Sequence, residues 1–390
     1  MTERLYRADP YLLEFEARVM SRTSHEGRPA VVLDRTAFYA ESGGQPWDLG
    51  LLAGVPVVAV IEKDGDVLHV LGGPIDAETV TGRVDADRRR DHREQHHGQH
   101  LLSRAFVEIA QARTVSFHLG AEDATIDLDR EVSEEQVREA ERVANDVIWS
   151  ALPVRTMELG AAEARARGVE PPAEAGDRIR LVEAVGFDLQ ACGGTHPRST
   201  AEVGLVLVLG RERYKGASRL RFVCGHRALR ACRERIDVTD RLGALWSAPL
   251  PGLVESAERT LADLKAAQKR IMELRKQSLE VEALRLAQGS PPVVVATYDG
   301  WTPDDLRLLA QRLVASHPCV ALLASRAERV HVVFAQSEGL PNDVPALLRE
   351  AVARLGGKGG GKGNLAQGSG ERSEEVEAAL ADAAARVRRA

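Results

Sequence analysis

The chain contains no run of eighteen consecutive apolar residues, so a membrane-spanning helix is not among its expected elements, nor a membrane among its partners. Its opening, MTERLYRADPYLLEF, breaks up apolar residues with charges where a secretory leader needs an uninterrupted apolar stretch, and the expected compartment is the cytoplasm. Cysteine is scarce. Four in 390 residues are too few for a disulfide framework, and in a reducing compartment such residues are buried thiols or metal ligands. Cys224, Cys232 and Cys319 are expected to be plain thiols. Positive charge is not in excess either: 52 Lys plus Arg against 58 Asp plus Glu give a formal net charge of −6. That argues against a generic nucleic-acid coat and leaves only local basic patches for such a partner.

What the chain does have is length and apolar content, 390 residues and 44% hydrophobic, enough for two or three domains with separate cores. The expected class is a multidomain α+β protein. Residues 1–88 alternate short apolar runs (AVVLD, VPVVAVIE, DVLHVLGG) with Gly, Pro and Asp, the pattern of a small antiparallel β-barrel-like domain. Within it TAFYAESGGQPWDLG, residues 36–50, places Gly43 and Gly44 either in an ordinary hairpin turn or where another group comes close. A helix begins at Arg88, and residues 89–238 read as α+β; Ser133 with Gln136 caps a second helix that Pro153 should end. In 239–288 a helical, coiled-coil-like segment is expected, because Leu253, Ala257, Thr260, Leu264, Ala267, Ile271, Leu274, Ser278 and Val281 alternate spacings of four and three. Residues 289–390 form a small α/β domain with a glycine-rich loop, GGKGGGKGNLAQGSG at 356–370.

HHGQHLLSRAF, residues 96–106, sets His96 and His100 one helical turn apart, where both can address one ion. A pair at that spacing is more often two histidines without a metal. ACGGTHPRS supplies a second pair, Cys192 and His196, which Gly193, Gly194 and Pro197 place on a loop or strand end. Two imidazoles from a helix with a thiolate and an imidazole from a turn suit one tetrahedral Zn²⁺ per chain. His97 lies about 100° around the helix and is left out of the shell, while His92 is expected to be solvated near the helix start.

Four blocks in order, TAFYAESGGQ, EQHHGQHLLS, ACGGTH and GGKGGGKGNLAQGSG, resemble the free-standing alanyl-tRNA editing proteins, relatives of the editing part of alanyl-tRNA synthetase. The resemblance spans nearly the whole chain, and its glycine-rich tail is similar to an accessory domain shared with a family of phosphoesterases, which implies the long form. The chain opens on the β domain without an aminoacylation domain upstream, and the phosphoesterases' Asp-His-His triplet is replaced by DHR at 91–93. Neither synthesis nor phosphoester cleavage is therefore expected.

The resemblance implies a zinc-dependent deacylase at 89–238 that acts in trans. It would hydrolyse the ester joining serine, or glycine, to the tRNA for alanine. The ligands fall on His96, His100, Cys192 and His196, which are also the catalytic candidates. Bound zinc can polarise a carbonyl or lower the pKa of water, yet four protein ligands fill a tetrahedral shell, which favours positioning with partial Lewis-acid help. The loop thought to lie near the tRNA terminus falls on 36–45, so Thr36, Ser42, Gly43, Gly44 and Gln45 are pocket candidates, with Thr195. Where synthetases often carry a glutamine, RTVSFHLG has His118, either a pocket residue or an outward-facing strand residue. Phosphate contacts are sought in Arg88, Arg89 and Arg90, in RERYKGASRLR with Lys215 and Arg219, and in Lys358 and Lys362 among flexible glycines. A homodimer through the helical segment or the C-terminal domain is the further partner expected, and that domain is expected to bind tRNA, to dimerise, or both. Two rival readings stand: editing of serine on the tRNA for threonine, and a zinc-stabilised tRNA-binding or dimerisation module without turnover.

Overall fold

The computed structural model describes residues 1–171 and 178–387, and divides the chain into two compact units, Met1–Leu242 and Gly243–Ala390. It is a mixed α+β protein of several sheets.

In the first unit six antiparallel strands close into a barrel: β1 (Glu14–His25), β2 (Arg28–Leu33), β3 (Gly50–Leu52), β4 (Val55–Lys63), β5 (Asp66–Leu71) and β6 (Thr79–Val84), in the order β1-β2-β5-β4-β3-β6. Strict alternation explains this: along β6 every second residue, Val80, Gly82 and Val84, is buried. Inward side chains such as Phe15, Leu33, Phe38, Val60 and Leu71 fill the barrel.

Helix α1 (Ala86–Ala110) follows, starting two residues before the expected point because Asp85 caps it by accepting from the Arg88 N–H at 3.0 Å. It carries Leu101, Leu102, Ala105 and Phe106 into a core shared with α2 (Glu134–Trp149) and with the sheet of β7 (Thr114–Leu119) and β8 (Ala124–Leu128). Ser133 and Gln136 form the expected capping box on α2, but the helix ends at Trp149 rather than Pro153, since Ala151 has turned to φ +51°. β9 (Val154–Gly160), β10 (Arg178–Ala184) and β11 (Asp188–Ala191) make a three-stranded sheet whose last strand delivers the Cys192 loop. β12 (Val206–Tyr214) and β13 (Ala217–Cys224) complete the α1/α2 sheet, and α3 (Gly225–Trp246) follows.

The second unit begins with the last turn of α3 and continues with α4 (Leu253–Leu286), so the stretch from 239 holds the end of one helix and then a second rather than a single helix; Ser247, at φ +49°, lies between them. On α4 the seam residues Leu264, Ile271, Leu274 and Val281 are exposed. A five-stranded sheet then runs in the order β14-β15-β16-β18-β17: β14 (Val293–Asp299), β15 (Val320–Arg326), β16 (Val330–Gln336), β17 (Lys358–Lys362) and β18 (Leu365–Gly370). Helices α5 (Pro303–Ser316), α6 (Val344–Arg354) and α7 (Val376–Arg386) are its other elements. The glycine-rich block is thus a hairpin and not a flexible loop. A Cβ on Gly361 would stand 2.2 Å from the Leu365 carbonyl oxygen, so glycine here serves close approach rather than mobility.

Candidate metal centre

Three separate stretches build the centre. α1 presents His96 and His100 on one face, the loop after β11 presents Cys192 and His196, and the turn 42–45 supplies Gln45. One donor atom from each of His96, His100, Cys192 and His196 lies within 4.8 Å of the others. Cys192 Sγ is 3.2 Å from both His96 Nε2 and His196 Nε2. Zinc bonds of about 2.0 Å to nitrogen and 2.3 Å to sulfur imply tetrahedral edges of roughly 3.5 Å, which these separations approach, so the donor set fits that ion.

Each imidazole is also engaged at its outer nitrogen, which is how metal-binding histidines are oriented. His96 Nδ1 donates to Gln45 Oε1 at 2.8 Å. His100 Nδ1 stands 3.5 Å from the Asp188 carboxylate, an ion-pair separation rather than a hydrogen bond. His196 Nδ1 meets His97 Nδ1 at 3.1 Å. With His196 Nε2 turned to the sulfur, its Nδ1–H donates and His97 accepts. The remaining His97 N–H, at Nε2, then has no partner in a fully buried position.

Burial raises the Cys192 thiol, but the three surrounding imidazoles more than offset it and hold the group well below its ordinary value. Burial lowers His196 to about 3, and lowers His97 too, with His196 adding to it. His100 differs: burial lowers it, yet Cys192 and Asp188 together raise it to about 9, so a cation entering here displaces a proton. Arg180 braces the ligand loop from behind, its Nη1 donating to the carbonyls of Cys192 at 2.8 Å and Gly194 at 3.0 Å. Beside the cluster, Phe117 rests its ring 5.5 Å from that of His96. Phe117, Asp188, Gln99, Ser103, Thr114 and Gln190 line a cavity of about 380 Å³.

The remaining expected residues divide. Gly43 and Gly44, at φ +56° and +80°, are the centre of a two-residue turn closed by Ser42 and Gln45, and a Cβ on Gly44 would meet the Phe117 carbonyl at 2.6 Å. Both readings of the glycine pair therefore hold. Gln45 is buried and holds its neighbours; its Nε2 donates to Thr195 Oγ1 at 3.0 Å, and Thr195 is buried with it. Thr36 is not in this pocket: its hydroxyl is taken by His69 Nε2 at 2.8 Å and by the Phe38 N–H inside the barrel. Ser42 is exposed, and so is His118, on the face of β7 opposite Phe117. His92 is buried rather than solvated, and burial lowers it to about 3.

Arg89, expected to meet phosphate, is buried instead, ion-paired with Asp48 and donating to the carbonyls of Ala37 and Pro10. Arg88 is half-buried with Nε on the Trp47 carbonyl, and exposed Arg90 pairs with Asp87 at 2.8 Å. In the 211–221 stretch Arg219 grips Asp127 with both Nε and Nη2 and stacks on Tyr214; Arg211, Arg213 and Arg221 also have acidic partners. Lys215 is exposed at the hairpin turn, and Lys358 and Lys362 are exposed on β17. Sequence reasoning missed His97, Phe117, Asp188, Arg180 and the cavity. Of these only His97, beside the paired histidines, carried a signal.

Residues 179–221 match the family model of the threonyl and alanyl tRNA synthetase second additional domain, and residues 290–389 match the DHHA1 domain. The alanyl-tRNA editing protein AlaX-L of Pyrococcus horikoshii is 33% identical over 96% of this chain and 96% of its own length. Alanine–tRNA ligases of Thermococcus kodakarensis and Halobacterium salinarum are 33% and 35% identical over 94% and 98% of this chain, which spans only 41% and 44% of theirs. Among solved structures, the C-Ala domain of Aquifex aeolicus alanyl-tRNA synthetase is 26% identical over 23% of this chain and 84% of that domain, with a TM-score of 0.22 that carries no fold argument.

Proposed function

Because the chain belongs to the family of alanyl-tRNA editing proteins, we propose that it is a zinc-dependent deacylase that removes serine, and glycine, from the tRNA for alanine. The observation that carries this reading is a cavity of about 380 Å³ lined by Phe117 and Asp188, the residues that stand against His96 and His100 of the His96–His100–Cys192–His196 cluster. A metal that merely staples a tRNA-binding or dimerisation module needs no space beside it.

In this reading the four residues hold one Zn²⁺, which supplies Lewis acidity toward the ester carbonyl. Gln45, Asp188 and His97 keep the three imidazoles turned with Nε2 inward, and Phe117 shields one side from water. Polar groups in the cavity select the acyl group. Gln99 Nε2 donates to Ser103 Oγ at 2.8 Å, and Ser103 Oγ lies 2.6 Å from Thr114 Oγ1. A seryl hydroxyl can add a hydrogen bond to that chain and alanine cannot, which favours the seryl ester. These residues take the place of Thr36, whose hydroxyl is spent in the barrel.

We assign deacylation to the region 89–238, with the barrel of 1–88 contributing Gln45. The helical segment and the C-terminal domain are assigned to tRNA binding and dimerisation, with Lys358 and Lys362 as exposed cations. Editing of serine on the tRNA for threonine is kept as a second reading, because the family model over 179–221 is shared by threonyl and alanyl enzymes.

The test is deacylation of seryl- and alanyl-esters, both on the tRNA for alanine, by zinc-loaded protein. Rapid loss of serine with alanine spared is expected, and Cys192→Ala should abolish it. No turnover with metal bound, or a Cys192→Ala protein as fast as the parent, would overturn the proposal.

A further inference from the structure

A second cavity, of about 490 Å³, lies where the short helix Leu5–Ala8 meets β9 and β10. Its lining includes Arg4, Arg7 and Arg180, with Glu3 and Glu158 as the only carboxylates among the described residues. Both acids are held by other arginines: Glu3 by Arg35 at 3.6 Å and Glu158 by Arg178 at 3.3 Å. Arg4 is paired with Glu62. Among the described residues, Arg7 and Arg180 are left with no carboxylate.

Arg180 is the informative one. Its Nη1 is committed to the carbonyls of Cys192 and Gly194, but Nε and Nη2 have no hydrogen-bond partner although both atoms are enclosed. Those two nitrogens form the edge of a guanidinium that grips an oxyanion in a fork. This chain uses that edge elsewhere in the same way: Nε and Nη2 of Arg219 hold Asp127, those of Arg227 hold Asp91, and those of Arg285 hold Glu282. Leaving such donors unpaired out of water is costly, and more so for a charged group.

We propose that this cavity receives a phosphodiester from the single-stranded 3′ end of the tRNA, gripped by the free edge of Arg180 and neutralised further by Arg7. The inference rests on the deacylase reading and deepens it. One guanidinium then ties the ligand loop at Cys192 and Gly194 to the substrate backbone, so binding of the strand and placement of the ester are mechanically linked. A nucleic-acid phosphate is favoured over a protein carboxylate because the cavity adjoins the loop of Cys192 and Gly194 through Arg180, and because two cations without an acidic partner among the described residues, Arg7 and Arg180, line it rather than one. The volume lies in the range, roughly 300–1,000 Å³, that encloses a drug-sized group.

The experiment uses full-length zinc-loaded protein and two variants. Arg180→Lys keeps the charge and loses the fork; Arg7→Ala removes a cation that does not touch the ligand loop. Binding of uncharged tRNA is followed against salt, deacylation gives KM and kcat separately, and zinc content is measured in each protein. Expected are a KM raised about tenfold in Arg180→Lys, beyond any loss of kcat from the loosened ligand loop, and for Arg7→Ala a salt slope of log K shallower by about 0.7, the value for one single-stranded phosphate. If Arg180→Lys loses zinc, Arg7→Ala alone decides. Unchanged KM and slope overturn the proposal, as does a change in slope that persists on tRNA trimmed of its single-stranded 3′ end. Binding of uncharged tRNA requires no turnover, so failure here and failure of the deacylase reading are separable.

Discussion

Gln45 Oε1 accepts from His96 Nδ1 at 2.8 Å and from the Thr195 N–H at 3.1 Å, so one side-chain amide joins the barrel's turn to both halves of the metal centre. The two contacts reach across 51 and 150 positions of sequence. The amide thereby fixes which nitrogen of His96 faces Cys192 and where the loop of Thr195 sits.

Replacing Gln45 with Leu should therefore weaken zinc binding while leaving the four ligands in place. Loss of such an outer partner typically costs about 10- to 100-fold in metal affinity. Competition against a chromophoric chelator measures it, and an affinity equal to the parent's would show that the amide does not orient His96.

A pH effect follows from His69, which lies inside the barrel. Burial lowers it to about 4 from 6.5, and its neutral form accepts from Thr36 at Nε2 while Nδ1 faces the Val31 carbonyl. The folded pKa is below the unfolded one, so the unfolded state binds more protons between the two values. Stability from this group is complete above about pH 6.5 and is lost as pH falls toward 4. The melting temperature should fall across that window, and His69→Gln should flatten part of the decline; equal slopes for both proteins would exclude His69 as the cause.

The pairing of His96 with His100 was legible because four-residue separation on a helix is a local property, as was the capping box at Ser133 and Gln136; Cys192 and His196, four apart on a loop, were legible only by residue type. Their outer partners were not. Asp188 and Phe117 have no spacing relation to the residues they touch, and only the packing of β7 and β11 against α1 brings them there. Charge runs misled for a related reason. RRR at 88–90 reads as a basic patch in one dimension, but consecutive helical residues point about 100° apart, so Arg89 turns inward while Arg90 stays exposed.

Arg89 and Asp48 make a buried ion pair, and its removal from one side leaves a charge uncompensated. Arg89→Ala should cost about 3–5 kcal/mol, seen as a lower denaturation midpoint, whereas Arg90→Ala should stay within about 0.5 kcal/mol. If phosphate contact rather than the fold were the role of Arg89, the substitution would weaken tRNA binding and spare the midpoint.

The hairpin of β17 and β18 separates two explanations of a glycine-rich block. If the glycines serve mobility or a backbone anion loop, each should matter similarly. If they serve close packing, position decides, because a Cβ on Gly361 would meet the backbone of Leu365 and Ala366 within 2.4 Å while one on Gly360 would meet nothing within 4 Å. Gly361→Ala is expected to destabilise the protein by about 1–3 kcal/mol, as an overpacked site does, and Gly360→Ala to be nearly neutral. Lys358→Ala with Lys362→Ala should leave the denaturation midpoint unchanged, since both side chains are exposed. Equal losses from the two glycine variants would return the block to the mobile-loop reading; unequal ones place its glycines in the packing.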